Sequence, residues 1–275
     1  LAHQKAHDDV TGDPNFGDKM MLKYMDAYYK RPSSFEHFIY LSQFQQAEAI
    51  KVAIEAHRRA KPYCMGTLFW QINDCWPVAS WSSIDYRGRW KALQYYAARA
   101  YSEVLVSPYR KENGEVSIKV ISDRLSNVDA TLQIKCISLD GADLYSDARK
   151  VHIPSNGCMD VASIAGPFDA NSVIYVRLVE KGKLIADNCW FPEYPNVCEY
   201  SKAQPIVSVV SAGSDTMTLR LESDSVIRGL HISANGRDLR PSDDYITIVP
   251  GYPREITIAP ISLEELEFIS LNQIL

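Results

Sequence analysis

The sequence has 275 residues, 46% hydrophobic and 23% charged, with a net charge of −5 and a pI near 5.7. That profile is globular, too apolar for intrinsic disorder and too acidic for the basic stripe of a nucleic-acid binder. No run of about 18 apolar residues is present to span a membrane as a helix, and six cysteines are too few for a disulfide scaffold.

In chain order, helical patterning comes first. Met21, Tyr24, Met25 and Tyr28 recur at the spacing of an amphipathic helix. Pro32 breaks it. Ser33 with Glu36 three residues on forms a capping-box pattern for a longer helix to about Arg59, with Phe35, Phe38, Ile39, Phe44, Ala47, Ile50 and Ile54 on its apolar face. The run Cys64-Met65-Gly66-Thr67-Leu68-Phe69-Trp70 is short and continuously apolar, which predicts a strand buried on both faces, as in a parallel sheet. A loop over Asn73–Arg89 leads to a third predicted helix, from Trp90 to Val106. Helix–strand–helix order is βα architecture.

Beyond Ser107-Pro108 the pattern changes to alternation. The stretches 116–120, 131–136, 173–178, 216–221 and 255–258 read as strands. Turn signals separate them at Asp140-Gly141, Asn156-Gly157, Lys181-Gly182, Asn235-Gly236 and Pro250-Gly251. Charge shifts at the same place, from a net +2 over residues 1–106 to −7 over the rest. Three units follow: a βα segment over 1–106, and β-sandwiches over 107–202 and 203–275, divided by a linker near Ser201–Pro205.

Chemistry concentrates in Trp70-Gln71-Ile72-Asn73-Asp74-Cys75-Trp76-Pro77-Val78-Ala79-Ser80-Trp81, with three tryptophans in twelve residues. A tryptophan face suits the C–H side of a sugar ring, and Asn73 and Asp74 carry groups for hydroxyls. The bland alternative is a tryptophan-rich packing turn. Other sites are poorly supported. His3 and His7 lack the glutamate of a zinc helix, Asp8 and Asp9 beside them make at best an adventitious patch, and Asp13–Asp18 does not match a calcium loop. Cys64 and Cys75 form no CxxC.

From Gly66 to Ala98, the tryptophan segment followed by Ser82-Ser83-Ile84-Asp85-Tyr86-Arg87-Gly88-Arg89-Trp90-Lys91-Ala92-Leu93 resembles the β-mannosidases of glycoside hydrolase family 2. Residues 244–251 and 176–185 resemble parts of the family's terminal sandwiches. The resemblance implies the C-terminal end of a (β/α)8 barrel followed by two immunoglobulin-like β-sandwiches. It implies a retaining, exo-acting enzyme on terminal β-D-mannosides or manno-oligosaccharides, with no cofactor, metal, nucleic acid or membrane partner. Trp70 becomes a platform for the mannose ring, Asn73 and Asp74 become substrate-binding residues, and His3, Gln4 and Lys5 fall near the site mouth.

Retaining glycosidases use two carboxylates about 5 Å apart. The family's nucleophile lies in a Ser-Glu-Phe/Tyr-Gly-like segment that this sequence lacks. Glu36, Glu48, Glu55 and Glu103 fall on predicted helices and read as solvated. The chain, which opens on Leu1, is thus expected to be a C-terminal part, inactive alone. The second reading is a carbohydrate- or protein-binding sandwich module using Tyr109, Tyr145, Trp190 or Tyr194. The third is a purely structural role, with the sandwiches bracing a barrel. The strand at Cys64–Trp70, with open edges, is expected to pair with a second copy or to be covered by the helix Phe35–Arg59. The absence of any Asn-x-Ser/Thr sequon points to a bacterial protein, periplasmic before cytoplasmic, rather than a lysosomal one.

Overall fold

A computed structural model describes residues 12–13, 16–235 and 237–275. Three helices open it: α1 (Phe16–Tyr28), α2 (Phe35–Arg59) and α3 (Ala92–Ala100). The α2 cap is Ser34, whose hydroxyl accepts from the His37 N–H at 3.2 Å. That is one residue later than the Ser33 pattern suggests. Glu36 in the first turn and His57, Arg58 and Arg59 in the last complement the helix dipole. Tyr40, Leu41, Phe44 and Ala47 form the buried stripe, packed with Met25, Leu93 and Tyr96. Phe35 and Ile39, expected in that stripe, are exposed.

The strand expected at Cys64–Trp70 does not form. The segment keeps a strand's alternation without a strand's partner. Thr67, Phe69 and Gln71 are half-buried, while Leu68, Trp70 and Ile72 are 98%, 75% and 58% exposed. The Tyr101 hydroxyl donates to the Thr67 carbonyl at 3.0 Å, and Phe69 packs on the helical core. The helices therefore cover one side only, and among the described residues no neighbouring strand supplies a ladder. No barrel sheet is present among them.

The third helix is also shorter than expected. It stops at Ala100, and Val104–Arg110 forms strand β1 instead. Two β-branched valines followed by Ser107-Pro108 disfavour a longer helix, and pairing to β2 (Val116–Ser122) decides for strand. Pro108 is tolerated because β1 lies at the edge of its sheet, paired only to β2. The division placed between Val106 and Ser107 thus falls inside β1.

Strands β1, β2 (Val116–Ser122) and β5 (Cys158–Ile164) form one antiparallel sheet. Against it packs a four-stranded sheet, ordered β4 (Asp143–Ile153), β3 (Val128–Ser138), β6 (Ser172–Glu180), β7 (Lys183–Trp190). Val106, Ile118, Val120, Leu132, Ile134 and Val176 fill the space between. Lys181 and Gly182 join β6 to β7 in two residues with φ of 49° and 81°, the double positive φ that a tight type I′ hairpin demands.

A second sandwich follows. One sheet is ordered β12 (Arg254–Ile258), β9 (Met217–Glu222), β8 (Ile206–Ala212). The other is ordered β11 (Ile246–Ile248), β10 (Ile227–Ala234), β13 (Leu266–Ile269). Leu219, Leu221, Leu230, Ile232 and Ile256 make its core, and a last helical turn, α4 (Leu271–Ile274), closes the chain.

Helix α2 ties these parts together, through carboxylates that the sequence pattern places in solvent. Glu55 is only 4% exposed. It accepts from the Ser107 hydroxyl at 2.7 Å and the Asn188 amide at 2.9 Å, both in the first sandwich, and pairs with Lys51 at 2.9 Å. Burial pushes its carboxyl up, but Lys51 and these hydrogen bonds outweigh burial and hold it below the ordinary glutamate range. Glu48 accepts from Arg228 of β10 at 2.7 Å. Glu103 is exposed, as expected, and accepts from Arg124 at 2.9 Å. The two sandwiches meet over Ile137, Leu139, Val226 and Val249 and through an Asp187–Arg254 pair at 2.8 Å.

Candidate functional site

The tryptophan loop is built on a short return of the chain. The Ser83 and Ile84 N–H groups donate to the carbonyls of Gln71 and Ile72 at 3.0 and 2.8 Å, and Lys91 N–H donates to Ser83 O at 2.9 Å. Two passes of backbone, 71–73 and 83–84, are thereby fixed to the residue that precedes α3. Asp85 closes the next turn by accepting from the Arg87 and Arg89 N–H groups at 2.8 and 2.9 Å.

Within that frame Asp74 is buried, at 6% exposure. It accepts from the hydroxyls of Ser80 (2.7 Å) and Ser82 (2.5 Å), and the Lys91 ammonium lies 3.6 Å away. Burial raises the carboxyl, but these donors and the Lys91 charge win, and it sits below the ordinary aspartate range. Lys91 is pulled below its ordinary value because burial outweighs the nearby carboxylates. A cavity of about 200 Å³ is lined by Gln71, Asp74, Cys75, Trp76, Val78, Ser80 and Trp81.

The structure separates the three predicted site residues. Trp70 stands exposed on the open side of the extended segment and does not line the cavity. Asn73 is exposed and bridges Ile84 through its backbone. Asp74 points into the loop. His3, Gln4 and Lys5 lie outside the described residues, as do His7, Asp8 and Asp9. Gln71, Ser80, Ser82 and Lys91 were not singled out in the sequence. The only signal for them is the period-2 spacing of Ser80 and Ser82, which puts both hydroxyls on one side of an extended strand.

The chemistry available here is apolar stacking and hydrogen bonding. No glutamate lies between Glu55 and Glu103, and both aspartates of the loop are engaged in holding it. Among the described residues no group of three or more His, Cys, Asp or Glu is placed to hold a metal, and the six cysteines are unpaired thiols. No described helix is long and apolar enough to cross a membrane. On the first sandwich, the Arg59 guanidinium lies 4.7 Å from the centroid of the Tyr109 ring, and that of Arg110 5.2 Å from the Trp190 ring. Each has a face already taken by a cation. Tyr145 and Tyr194 are exposed.

Comparison with known proteins agrees with this anatomy. Residues 114–195 match the family model of the mannosidase Ig/CBM-like domain. The β-mannosidase B of Aspergillus terreus is 26% identical over 271 residues, covering 90% of this chain and 32% of that protein. The β-mannosidase of Capra hircus is 37% identical over 102 residues, 32% of this chain and 12% of that protein. The crystal structure of a β-D-mannosidase from Dictyoglomus thermophilum superposes with a TM-score of 0.83 at 26% identity, over 92% of this chain and 32% of that one. An exo-chitosanase from Amycolatopsis orientalis shares the fold at a TM-score of 0.70 and 16% identity, over 91% of this chain and 35% of that one. The chain spans about a third of the length of the β-mannosidase B relatives it matches. By sequence and by fold the chain is similar to the C-terminal side of β-mannosidases of glycoside hydrolase family 2.

Proposed function

We propose that this chain serves a retaining, exo-acting β-mannosidase, supplying the end of a (β/α)8 barrel and two immunoglobulin-like sandwiches behind it. Residues 1–106 carry the barrel part and run into the first residues of β1, and the sandwiches occupy the remainder, dividing near Ser201–Pro205. In this reading the segment 64–72 is the last barrel strand. Its covered side faces the helices, and its open side, with Leu68, Trp70 and Ile72, turns toward the barrel interior. The exposure of Trp70 on that side is the observation that carries the reading. An indole face 75% exposed at the end of a strand-like segment is where a barrel enzyme places substrate.

Trp70 then stacks on the terminal mannose ring, and Asn73 offers its amide to a hydroxyl. The acid/base and nucleophile carboxylates come from residues outside this sequence, so the chain alone binds a mannoside weakly and does not hydrolyse it. Stacking by itself discriminates poorly among hexoses, so the choice of mannose rests with hydrogen bonds from the remaining barrel loops.

The test is a titration of the 275-residue chain with methyl β-D-mannoside, followed by tryptophan emission. The wild type and Trp190→Phe are expected to respond with a Kd in the range of about 1 mM or weaker. Trp70→Phe is expected to be silent. A response that survives Trp70→Phe and disappears in Trp190→Phe moves the site to the sandwich and favours a binding module.

A further inference from the structure

We propose that Asp74 is the positioning residue of the tryptophan loop. Through Ser80, Ser82 and Lys91 it holds Trp76 and Trp81 in place, and it does not itself ligate the sugar. The proposal rests on the mannoside reading above for the ligand at Trp70, and it reassigns a residue that the sequence offers as a substrate contact.

A carboxylate can bind a sugar hydroxyl only with an oxygen that is free and reachable. Asp74 offers neither. Oδ1 accepts from the Ser80 hydroxyl at 2.7 Å, with the Gln71 amide at 3.5 Å. Oδ2 accepts from the Ser82 hydroxyl at 2.5 Å, with Lys91 Nζ at 3.6 Å. Hydroxyl donors and a cation thus fill both ends of a side chain that is 6% exposed. A substrate hydroxyl would have to displace Ser80 or Ser82, and Ser82 is fully buried.

The same bonds have a mechanical result. Residues 74 and 80 are joined side chain to side chain, which closes the turn holding Cys75, Trp76, Pro77, Val78 and Ala79. Ser82 passes the constraint on, because its hydroxyl donates to Asp74 and accepts from Lys91 Nζ at 2.7 Å. Lys91 is the N-cap residue of α3, and its own N–H is bonded to Ser83. The loop's position therefore follows from a rigid helix through three charge-assisted contacts, one buried and two partly buried, the kind of support that holds a binding surface within a fraction of an ångström. Asn73, next door and exposed, remains the amide that can reach a hydroxyl.

The experiment uses the 275-residue chain labelled with 5-fluorotryptophan. Its five tryptophan signals, from Trp70, Trp76, Trp81, Trp90 and Trp190, are followed by fluorine NMR with methyl β-D-mannoside as the probe. Asp74→Asn keeps the shape but gives an amide nitrogen where Ser82 or Ser80 needs an acceptor. It is expected to shift the Trp76 and Trp81 signals by more than a linewidth and leave Trp190 in place, which shows that the fold is intact. Lys91→Met is expected to shift the same two signals. The double variant is expected to go no further than the larger single, because the two residues act in series. The mannoside response of Trp70 persists in both, at a Kd weakened up to about fivefold.

Two results would overturn the proposal. In one, Asp74→Asn and Lys91→Met leave Trp76 and Trp81 unmoved. In the other, Asp74→Asn abolishes the Trp70 response while Lys91→Met is silent, which makes Asp74 a direct ligand. A wild-type chain in which no tryptophan responds to mannoside defeats the mannoside reading instead, and the Trp76 and Trp81 shifts still decide the role of Asp74.

Discussion

Replacing Gly229 with alanine is expected to cost on the order of 4 kcal/mol of stability, from left-handed backbone strain of about 1–2 kcal/mol and overpacking of about 1–3 kcal/mol. Gly229 lies in β10 with φ of +69°, a conformation that side chains other than glycine rarely adopt. There is also no room. An added Cβ would stand 2.4 Å from a ring carbon of Phe44 and 2.6 Å from the hydroxyl of Tyr40. Both rings are buried in α2, and the Tyr40 hydroxyl donates to the Gly229 carbonyl itself. The strand and helix are therefore in backbone-to-ring contact, and neither can retreat without opening the helical core. Gly251 is the control. Its φ is +78°, but nothing lies within 4 Å of where its Cβ would be, so Gly251→Ala should cost only about 1 kcal/mol. Urea melts of the two variants separate packing from backbone strain. Equal midpoints would mean that β10 does not rest on α2.

One residue earlier in β10, Arg228 makes the second large prediction. Its side chain is 7% exposed, its guanidinium lies 3.8 Å from the Phe191 ring centroid, and it donates to Tyr200 at 3.0 Å and Glu48 at 2.7 Å. Glu48→Ala strands a buried cation, and the expected loss is about 3–5 kcal/mol. Arg228→Met removes the cation and leaves Glu48 partly solvated, at 25% side-chain exposure, so it should cost less. The double variant Glu48→Met with Arg228→Met should recover much of the loss, because replacing both ions by apolar groups avoids the desolvation penalty. A double-mutant cycle by urea melt reads the coupling directly, and additive losses would show that the pair is not energetically joined.

These two contacts lie at the junction that the sequence hides best. Strands β3, β9 and β12 are legible because one face of each is buried, so apolar residues alternate, while β2 and β6 are buried nearly throughout and are read from their valine and isoleucine content. The Lys181-Gly182 hairpin is legible because its backbone needs positive φ at both residues. Helix α2 is legible in its period and its end. The acidic residues on it are not, since Glu48 and Glu55 look like any helix surface until another part of the chain brings Arg228, Ser107 and Asn188 to them. Gly229 carries no local signal, because its constraint comes from rings 185 and 189 residues away in sequence. The sequence pattern overextends helix α3 for a related reason. Val104 and Val106 continue an apolar run, and only pairing to β2 decides for strand.

The candidate site was partly legible. Three tryptophans in twelve residues mark the loop, and alternation around Trp70 survives in the structure even though the strand does not. Apolar composition predicts a buried strand at Cys64–Trp70, but a strand is a property of two backbones, and the described residues provide only one. Asp74 shows the limit of residue type as evidence. A carboxylate beside tryptophans suits a sugar hydroxyl, yet two serines placed six and eight residues on, and a lysine at the start of α3, make it a brace.

The most direct test of Trp70 as the mannose platform is aryl β-mannoside turnover by a β-mannosidase that carries this sequence as its C-terminal part. Loss of a stacking face worth about 2–3 kcal/mol corresponds to a roughly 30- to 160-fold fall in kcat/KM. Trp70→Ala is expected to fall by that factor, while Trp190→Ala, on the first sandwich, stays within about twofold of wild type. A Trp70→Ala enzyme with wild-type kcat/KM would contradict a mannose platform at Trp70 and leave the chain as the enzyme's structural support.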